Sequence, residues 1–136
     1  MRVLLDTDTC IHLIRHRPVE MIQRLKRYMP GDVGISSITL AELAYGVYKS
    51  QQPERNQAAL DEFTMPLEVS PFDEAAAKIY GELRAALQSS GKAIGSLDML
   101  IGAHALSLKA TLATHNTREL SRIAGLRLAD WVASPT

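Results

Sequence analysis

Short apolar runs alternate along the chain with longer segments in which apolar residues recur at helical spacing. Short, continuous apolar runs are typical of the buried strands of a parallel sheet. They predict five strands, over residues 2–5, 33–35, 67–69, 110–114 and, at an edge, 126–128. The longer segments predict helices over residues 7–15, 18–28, 37–50, 53–63, 73–89 and 96–108. Strands that alternate with helices indicate an α/β fold, with a parallel sheet covered by helices on both faces.

Polar residues mark the predicted starts of several helices. Ser36 or Ser37, Asp73 and Ser96 each precede a segment with helical spacing. A side-chain oxygen at such a position accepts a hydrogen bond from an otherwise unpaired amide of the first turn. We therefore predict that these residues cap their helices.

Length and charge limit the classes of protein to consider. The chain has 136 residues, which suits one domain, predicted to span residues 1–136. Lys and Arg together number 15, as do Asp and Glu, so nucleic-acid binding would have to come from a local basic patch. The single Cys10 excludes an intrachain disulfide. No apolar run reaches the ~18 residues of a membrane span, and the N-terminus lacks the layout of a signal peptide. We expect a cytoplasmic protein that does not contact membranes.

Three carboxylates interrupt apolar stretches of the sequence. Asp6 ends the first predicted strand, Glu42 is the only charged residue within 38–48, and Asp98 lies in the apolar segment 97–101. A buried carboxylate without a partner is costly, because it must lose its hydration or its charge. Three such acids in one small domain suggest a shared partner, and a divalent cation with oxygen ligands is the simplest one.

The predicted topology allows these acids to meet. Asp6 follows the first strand, and Asn116 lies just past the fourth. Asp98 falls in the first turn of a helix, where the backbone amides favour an anion, and Glu42 falls in a second turn. Right-handed crossovers bring strand ends and helix starts to the same edge of a parallel sheet. We therefore predict one crevice, beyond the carboxyl ends of the strands, that contains all four residues.

Converging carboxylates have two chemical uses, and the residues alone leave both open. A pair without metal can act as general acid and general base, as in glycoside cleavage. Several acids with Mg²⁺ or Mn²⁺ can activate water and stabilise the displacement at a phosphodiester. Three acids with an amide suit the second use better, since a metal-free pair needs only two acids.

The segments that carry these residues resemble, in order and over essentially the whole chain, the VapC-type toxins among the PIN-domain nucleases. The matching segments are residues 4–8, 36–46, 94–105 and 112–120, with Asp130 and Trp131 near the end. The resemblance implies a PIN-like three-layer fold, with a sheet of about five parallel strands flanked by helices. It also implies an endoribonuclease that depends on Mg²⁺, or on Mn²⁺.

The resemblance also assigns roles to the four polar residues. Asp6, Glu42 and Asp98 fall on the family's acidic triad, and Asn116 falls on its fourth position. Asp6 and Asp98 would be the principal metal ligands, and Glu42 would complete the shell or orient the attacking water. Asn116 would bind a metal-held water or a phosphate oxygen.

The implied partners follow from the same family. One is RNA, with transfer RNA as a family-level substrate. The other is a VapB-like antitoxin, which would neutralise a toxin that inhibits translation and growth. A homodimer is expected, with operator DNA bound only through the toxin–antitoxin complex. Two alternatives stay open: a PIN-domain module that acts mainly with its antitoxin on operator DNA, and a metal-dependent DNA nuclease.

Several further side chains have two interpretations each. Asp8, where many relatives carry Asn, either caps the first helix, which we favour, or joins the acids. A packed core role is favoured for His104, and a surface role for His115 and Glu119. Tyr45 and Tyr48 are predicted core or dimer contacts. The basic run within residues 15–27 is either a phosphate-binding patch or a solvated helix face.

Overall fold

Five strands and seven helices make up residues 1–132, the part of the chain that this computed structural model describes. The strands are β1 (Val3–Leu5), β2 (Val33–Ser36), β3 (Glu68–Ser70), β4 (Thr111–Ala113) and β5 (Leu128–Ala129). The helices are α1 (Thr7–His16), α2 (Val19–Lys26), α3 (Ser37–Lys49), α4 (Pro53–Thr64), α5 (Glu74–Ser89), α6 (Ser96–Leu108) and α7 (Thr117–Leu120). None of these helices is long and apolar enough to cross a membrane. Residues 133–136, the last four of the predicted domain, lie outside the described residues.

All five strands form one parallel sheet in the order β3-β2-β1-β4-β5. The central strand is β1, and the strand order reverses between β1 and β4. The register pairs Leu5 with Ile35 of β2 and with Ala113 of β4, so these three strands end close to one level. In open parallel sheets, ligands bind beyond the carboxyl ends of the strands at such a switch point. The predicted five-stranded parallel α/β fold is confirmed.

Two hydrophobic clusters cover the two faces of the sheet. Val3 and Leu5 belong to one cluster and Leu4 to the other, because successive side chains of a strand point to opposite faces. Helices α1 to α4 contribute to the first cluster, which includes the buried Cys10. Helices α5 to α7 contribute to the second. Burial of one Leu side chain such as Leu4 contributes about 1.5–3 kcal/mol, so both faces of the central strand stabilise the fold.

The edge strand β5 begins later in the chain than predicted, because of the turn that precedes it. The last strand begins at Leu128, not at 126, because Gly125 has a positive φ of 82° and Leu126 still donates to the carbonyl of Ile123. The chain therefore leaves the turn two residues later than its apolar residues suggest.

Helix starts are confirmed at two of the three predicted caps. Ser36 accepts from the N–H of Ile38, and Asp73 accepts from the N–H of Ala76. The prediction for Ser96 is wrong: Gly95 is the N-cap of α6, and Ser96 is the first helical residue. The four-residue α7 was not predicted, since so short a segment shows no helical period.

Gly34 lies where β2 and β3 approach closely, and this predicts a stability effect. A Cβ at Gly34 would overlap the backbone carbonyl oxygen of Glu68, which cannot move without breaking the sheet. We expect Gly34→Ala to lower the free energy of unfolding by about 1–3 kcal/mol, measured by urea denaturation. Gly81→Ala is the matched control, because a Cβ at that exposed position of α5 meets nothing within 4 Å. The control should stabilise the chain by about 0.5–1 kcal/mol; equal effects of the two substitutions would contradict this packing argument.

Candidate active site

A small cavity lies at the carboxyl edge of the sheet, beside the end of β1. Its volume is about 160 Å³, and four of its lining residues are acidic. They are Asp6, Asp8, Glu42 and Asp98. The structure thus brings the three predicted acids together and adds Asp8. Asn116 does not line this cavity, but it contacts Asp98 from the side of β4.

Asp6 is held by the backbone at the end of the central strand. It is the N-cap of α1, and its Oδ1 accepts from the N–H of Thr9 at 2.8 Å. Its own N–H donates to the carbonyl of Ala113 at 3.0 Å. The side chain is buried, with only 4% of the residue exposed. Burial raises the pKa of Asp6, the charge of Asp8 adds to this rise, and hydrogen bonds from Thr114 and Thr9 oppose it.

Asp98 occupies the first turn of α6 and is half-buried. Its Oδ2 accepts from Asn116 Nδ2 at 2.7 Å. Burial raises the pKa of Asp98, the hydrogen bond from Asn116 lowers it, and the charges of Asp8 and Glu119 raise it further. Both buried acids therefore carry a cost of ionisation that a cation would relieve.

Asn116 orients Asp98. It is the N-cap residue of α7, and its backbone N–H donates to Thr114 Oγ1 at 3.0 Å. Thr114, just past β4, thus fixes the backbone of the residue whose side-chain amide donates to Asp98. A direct bond from Asn116 to water or to phosphate stays a prediction.

Glu42 is exposed, which corrects the reasoning that first identified it. Its helix α3 is apolar in sequence nearly all round, yet Ala41, Tyr45 and Tyr48 are exposed along with Glu42. Tyr45 is 63% and Tyr48 78% exposed, so neither is a core residue. Alanine and tyrosine are compatible with a solvated helix face, and a run of such letters does not predict burial. Glu42 therefore lines the cavity from its water-facing side.

Asp8 does not cap α1, so the favoured interpretation of this residue was wrong. Asp6 provides the cap, and Asp8 lies two residues further on, exposed in the first turn. There it lines the cavity and acts electrostatically on both Asp6 and Asp98. The sequence carries a signal for this cap. An Asp that directly follows a strand is well placed to accept from the amide three residues later, which here is that of Thr9.

Two threonine hydroxyls fix the elements around the cavity. Thr7 Oγ1 donates to Thr39 Oγ1 at 3.1 Å and joins α1 to α3, one turn before Glu42. Thr9 Oγ1 donates to the carbonyl of Ala113 at 3.2 Å and joins α1 to β4. The partners of both hydroxyls lie in distant segments, so the contacts themselves leave no signal in one sequence.

The two histidines behind and beside the site have structural surroundings. His104 is buried, with Nδ1 2.8 Å from Ser36 Oγ and Nε2 3.2 Å from Ser70 Oγ, which confirms its core role. Burial lowers its pKa. His115 is exposed, as predicted, with Nδ1 2.9 Å from Asp130 Oδ2. Glu119 was expected on the exposed face of a helix, but it is only partly exposed and its charge acts on Asp98.

The basic run within residues 15–27 does not form one patch. Arg15 lines a groove beside Glu42, whereas the guanidinium of Arg24 lies 4.9 Å from the ring centroid of Trp131. The turn between α1 and α2 sends the two ends of the run to different parts of the surface.

The donor chemistry of the cavity fits a hard divalent cation. All four charged groups offer carboxylate oxygens, which Mg²⁺ and Mn²⁺ prefer. Within residues 1–132, no three His, Cys, Asp or Glu side chains stand close enough to form a complete ligand shell. This spacing is compatible with Mg²⁺, because that ion keeps several waters and uses only one or two carboxylates.

Comparison with known proteins places this arrangement in a family. Residues 3–126 match the family model of the PIN domain. The chain is 41% identical to "tRNA(fMet)-specific endonuclease VapC" of Shigella flexneri, over 96% of this chain and 98% of that protein. It is 42% identical to "Ribonuclease VapC2" of Rickettsia felis, over 96% and 98% of the two chains. The DNA-bound VapBC structure from Salmonella typhimurium matches with a TM-score of 0.92 and 41% identity, over 96% and 98%.

The raised pKa of Asp6 predicts a pH-dependent stability. In the folded chain Asp6 holds its proton more tightly than in the unfolded chain, whose pKa is near 3.8. The free energy of unfolding should therefore fall as pH rises from that value through the raised pKa, and should stay lower above it. Asp6→Asn removes this loss and keeps an oxygen that can cap α1. In EDTA, we expect the variant to be more stable than the unmodified chain at neutral pH, measured by urea denaturation across pH.

The control for this measurement is Glu82→Gln, at an exposed position of α5 outside the cavity. Its pH profile should run parallel to that of the unmodified chain. A lower stability of Asp6→Asn at neutral pH would show that the cap, not the charge, dominates.

Proposed function

The chain belongs to the VapC family of PIN-domain ribonuclease toxins, and from this premise we propose that it is a Mg²⁺-dependent endoribonuclease. In this proposal it acts in the cytoplasm as the toxin of a type II toxin–antitoxin pair. It cleaves RNA phosphodiester bonds with an activated water and inhibits translation until a VapB-like antitoxin neutralises it. The observation that supports the proposal best is the convergence of Asp6, Glu42 and Asp98 on one cavity at the switch point of the sheet.

The metal would be held mainly by the buried Asp6 and the half-buried Asp98. Asp6 accepts from Thr9 and Thr114, and Asp98 accepts from Asn116. These donors are neutral, so both carboxylates would keep the negative charge that attracts a cation. Glu42 and Asp8 are exposed and would act through ordered water or by charge. A divalent cation, Mg²⁺ or Mn²⁺, would supply Lewis acidity toward the phosphodiester and the attacking water.

The chain's own residues would position and deprotonate that water. Glu42 faces solvent at the cavity and can accept the proton as the water oxygen bonds to phosphorus. The bond to the leaving ribose oxygen breaks, and solvent protonates that oxygen. The side-chain amide of Asn116 would keep the Asp98 carboxylate in one orientation, while the backbone N–H of Asn116 is bound to Thr114.

Transfer RNA is the RNA class to test first. A relative from Shigella flexneri and one from Salmonella typhimurium, each 41% identical to this chain, are named as tRNA(fMet)-specific endonucleases. Cleavage of an initiator transfer RNA would stop translation at its first step, which would explain inhibition of growth.

The partner would be an antitoxin of the VapB type. Similar solved structures from Rickettsia felis and Salmonella typhimurium are VapBC complexes with DNA, which supports operator binding by the complex as a whole. The exposed Tyr45 lines a groove of about 320 Å³ next to Glu42, and this surface suits an antitoxin segment or the second copy of a homodimer. A purely regulatory module or a DNA nuclease remains the competing proposal.

Cleavage assays test the reaction directly. We expect purified protein to cut transfer RNA in Mg²⁺, to lose activity in EDTA, and to lose about 100-fold or more in rate in Asp98→Asn. Gel mapping of the RNA ends would measure this, with a DNA oligonucleotide as the competing substrate. Glu82→Gln should cut at the rate of the unmodified chain. Cleavage that persists both in EDTA and in the Asp6→Asn variant would contradict the proposal. Faster cleavage of the DNA oligonucleotide would favour the DNA nuclease alternative.

Substitution of Asp8 is expected to change the affinity of the cavity for a metal ion. It adds a fourth carboxylate to the cavity, so Asp8→Asn should weaken cation binding by about two- to tenfold, since one attractive charge is lost at short range. Electron paramagnetic resonance of Mn²⁺ measures this without any substrate. Glu82→Gln is again the charge-matched control. Equal or tighter Mn²⁺ binding by Asp8→Asn would exclude Asp8 from the metal site.

A further inference from the structure

A second, larger pocket lies at the opposite edge of the sheet, at the amino ends of β1, β4 and β5. Its volume is about 520 Å³, within the range typical of small-molecule sites. Arg2 lies at the start of β1, Lys109 just before β4, and Arg127 just before β5. Arg2 and Asp6 are four positions apart along the chain, about 13 Å, and the two cavities share no lining residue, so a ligand here would not touch the acid cavity. We refer to this site as the basic-aromatic pocket.

Its lining is basic in a chain whose net charge is zero. Four cationic side chains line it, those of Arg2, Arg24, Lys109 and Arg127. No carboxylate lines the part that residues 1–132 form. Arg2 approaches Asp32 only to 3.9 Å, and its side chain is 70% exposed, so this ion pair is weak. Cations gathered from separate segments around one concavity favour an anionic ligand.

Aromatic rings form part of the same pocket. Tyr28 and Trp131 stack with ring centroids 6.0 Å apart and an angle of 13°. The guanidinium of Arg2 lies 5.3 Å from the centroid of Tyr28, and that of Arg24 lies 4.9 Å from the centroid of Trp131. A guanidinium stacked on a ring, as that of Arg2 is on Tyr28, can still direct in-plane donors to a phosphate.

The buried indole beside this pocket has an unpaired donor. Trp131 is fully buried, and its Nε1 has no hydrogen-bond acceptor within residues 1–132. A buried donor without an acceptor is costly, so this indole is a strained point of the pocket wall.

We propose that the basic-aromatic pocket binds a nucleoside phosphate, either free or as one unit of an RNA strand. The guanidinium groups of Arg2 and Arg127 and the ammonium group of Lys109 would hold the phosphate, because charge-assisted hydrogen bonds to phosphate oxygens are strong. A base would stack on the exposed side of the arginine–aromatic array, as bases do in single-strand binding sites. The RNA source rests on the proposed ribonuclease function, whereas binding of a free nucleotide does not.

The chain carries its own reporter for this site. Trp131 is the only tryptophan of the chain and lies in the pocket, so its fluorescence should change saturably when ligand binds. The titrations would use full-length protein in EDTA, with inorganic phosphate, AMP and a ten-nucleotide RNA as separate probes. EDTA prevents metal-dependent cleavage, so the result does not depend on whether the chain is active.

The test variant is Lys109→Gln with Arg127→Gln, two exposed side chains of the pocket. The matched control is Lys92→Gln with Arg55→Gln, which removes the same charge from exposed positions outside it. We expect AMP or RNA affinity to fall about tenfold or more in the test variant, since two charge-assisted contacts are lost. In the control we expect less than about a twofold change.

Each outcome decides one part of the proposal. A saturable response to AMP alone identifies free nucleotide as the source, and a response to RNA alone identifies the strand. If inorganic phosphate bound as tightly as AMP and the RNA, the base would contribute nothing to binding, and the proposed recognition of a nucleoside would be overturned. Absence of a saturable response, or equal loss in test and control variants, would overturn the proposal as a whole. Glu82→Gln, at an exposed position outside the pocket, should bind these probes unchanged. Because EDTA prevents cleavage, binding can be observed even if the ribonuclease proposal fails, so the two failures are distinguishable.

Discussion

The carboxylate of Asp6 connects the fold to the candidate active site. Its Oδ1 caps α1, and its backbone N–H bonds Ala113, so α1, β1 and β4 meet at this residue. A neutral Asn or Ser would cap the helix about as well. The ionised acid is buried at a cost, which its raised pKa reports. Capping alone therefore does not explain an acid at this position, and a function that needs its charge does.

Neutral hydrogen bonds hold the rest of the carboxyl edge without cancelling that charge. Asn116 orients Asp98, the Thr7 hydroxyl ties α1 to α3, and the His104 ring bridges Ser36 and Ser70. An Arg or Lys in any of these places would neutralise the acids and compete with a cation. The chosen donors stiffen the site but leave its negative potential available, which is the arrangement that metal binding requires.

The sequence predicted the sheet and the acids that follow its strands, because both depend on local patterns. Apolar runs mark β1 and β4, and polar residues just past them lie at the carboxyl edge by topology alone. Predictions failed where the role of a residue depends on what surrounds its side chain in the folded protein. Glu42 was expected in an apolar setting but lies on a solvated face, and Asp8 was taken for a cap that Asp6 already provides. The hydroxyl hydrogen bonds between distant segments depend on the folded structure and are not visible in the sequence.

Zero net charge hides two opposed regions on this molecule. Acids gather at the carboxyl edge of the sheet, while the cations of the basic-aromatic pocket gather at its amino edge. A polyanion is repelled by the first region until a cation binds there, and it is attracted by the second at all times. A charge count over the chain, or over the run 15–27, could not show this separation, because the turn after α1 sends Arg15 and Arg24 to different surfaces. In the proposed ribonuclease, RNA binding by a neutral chain would therefore depend on the spatial separation of its charges.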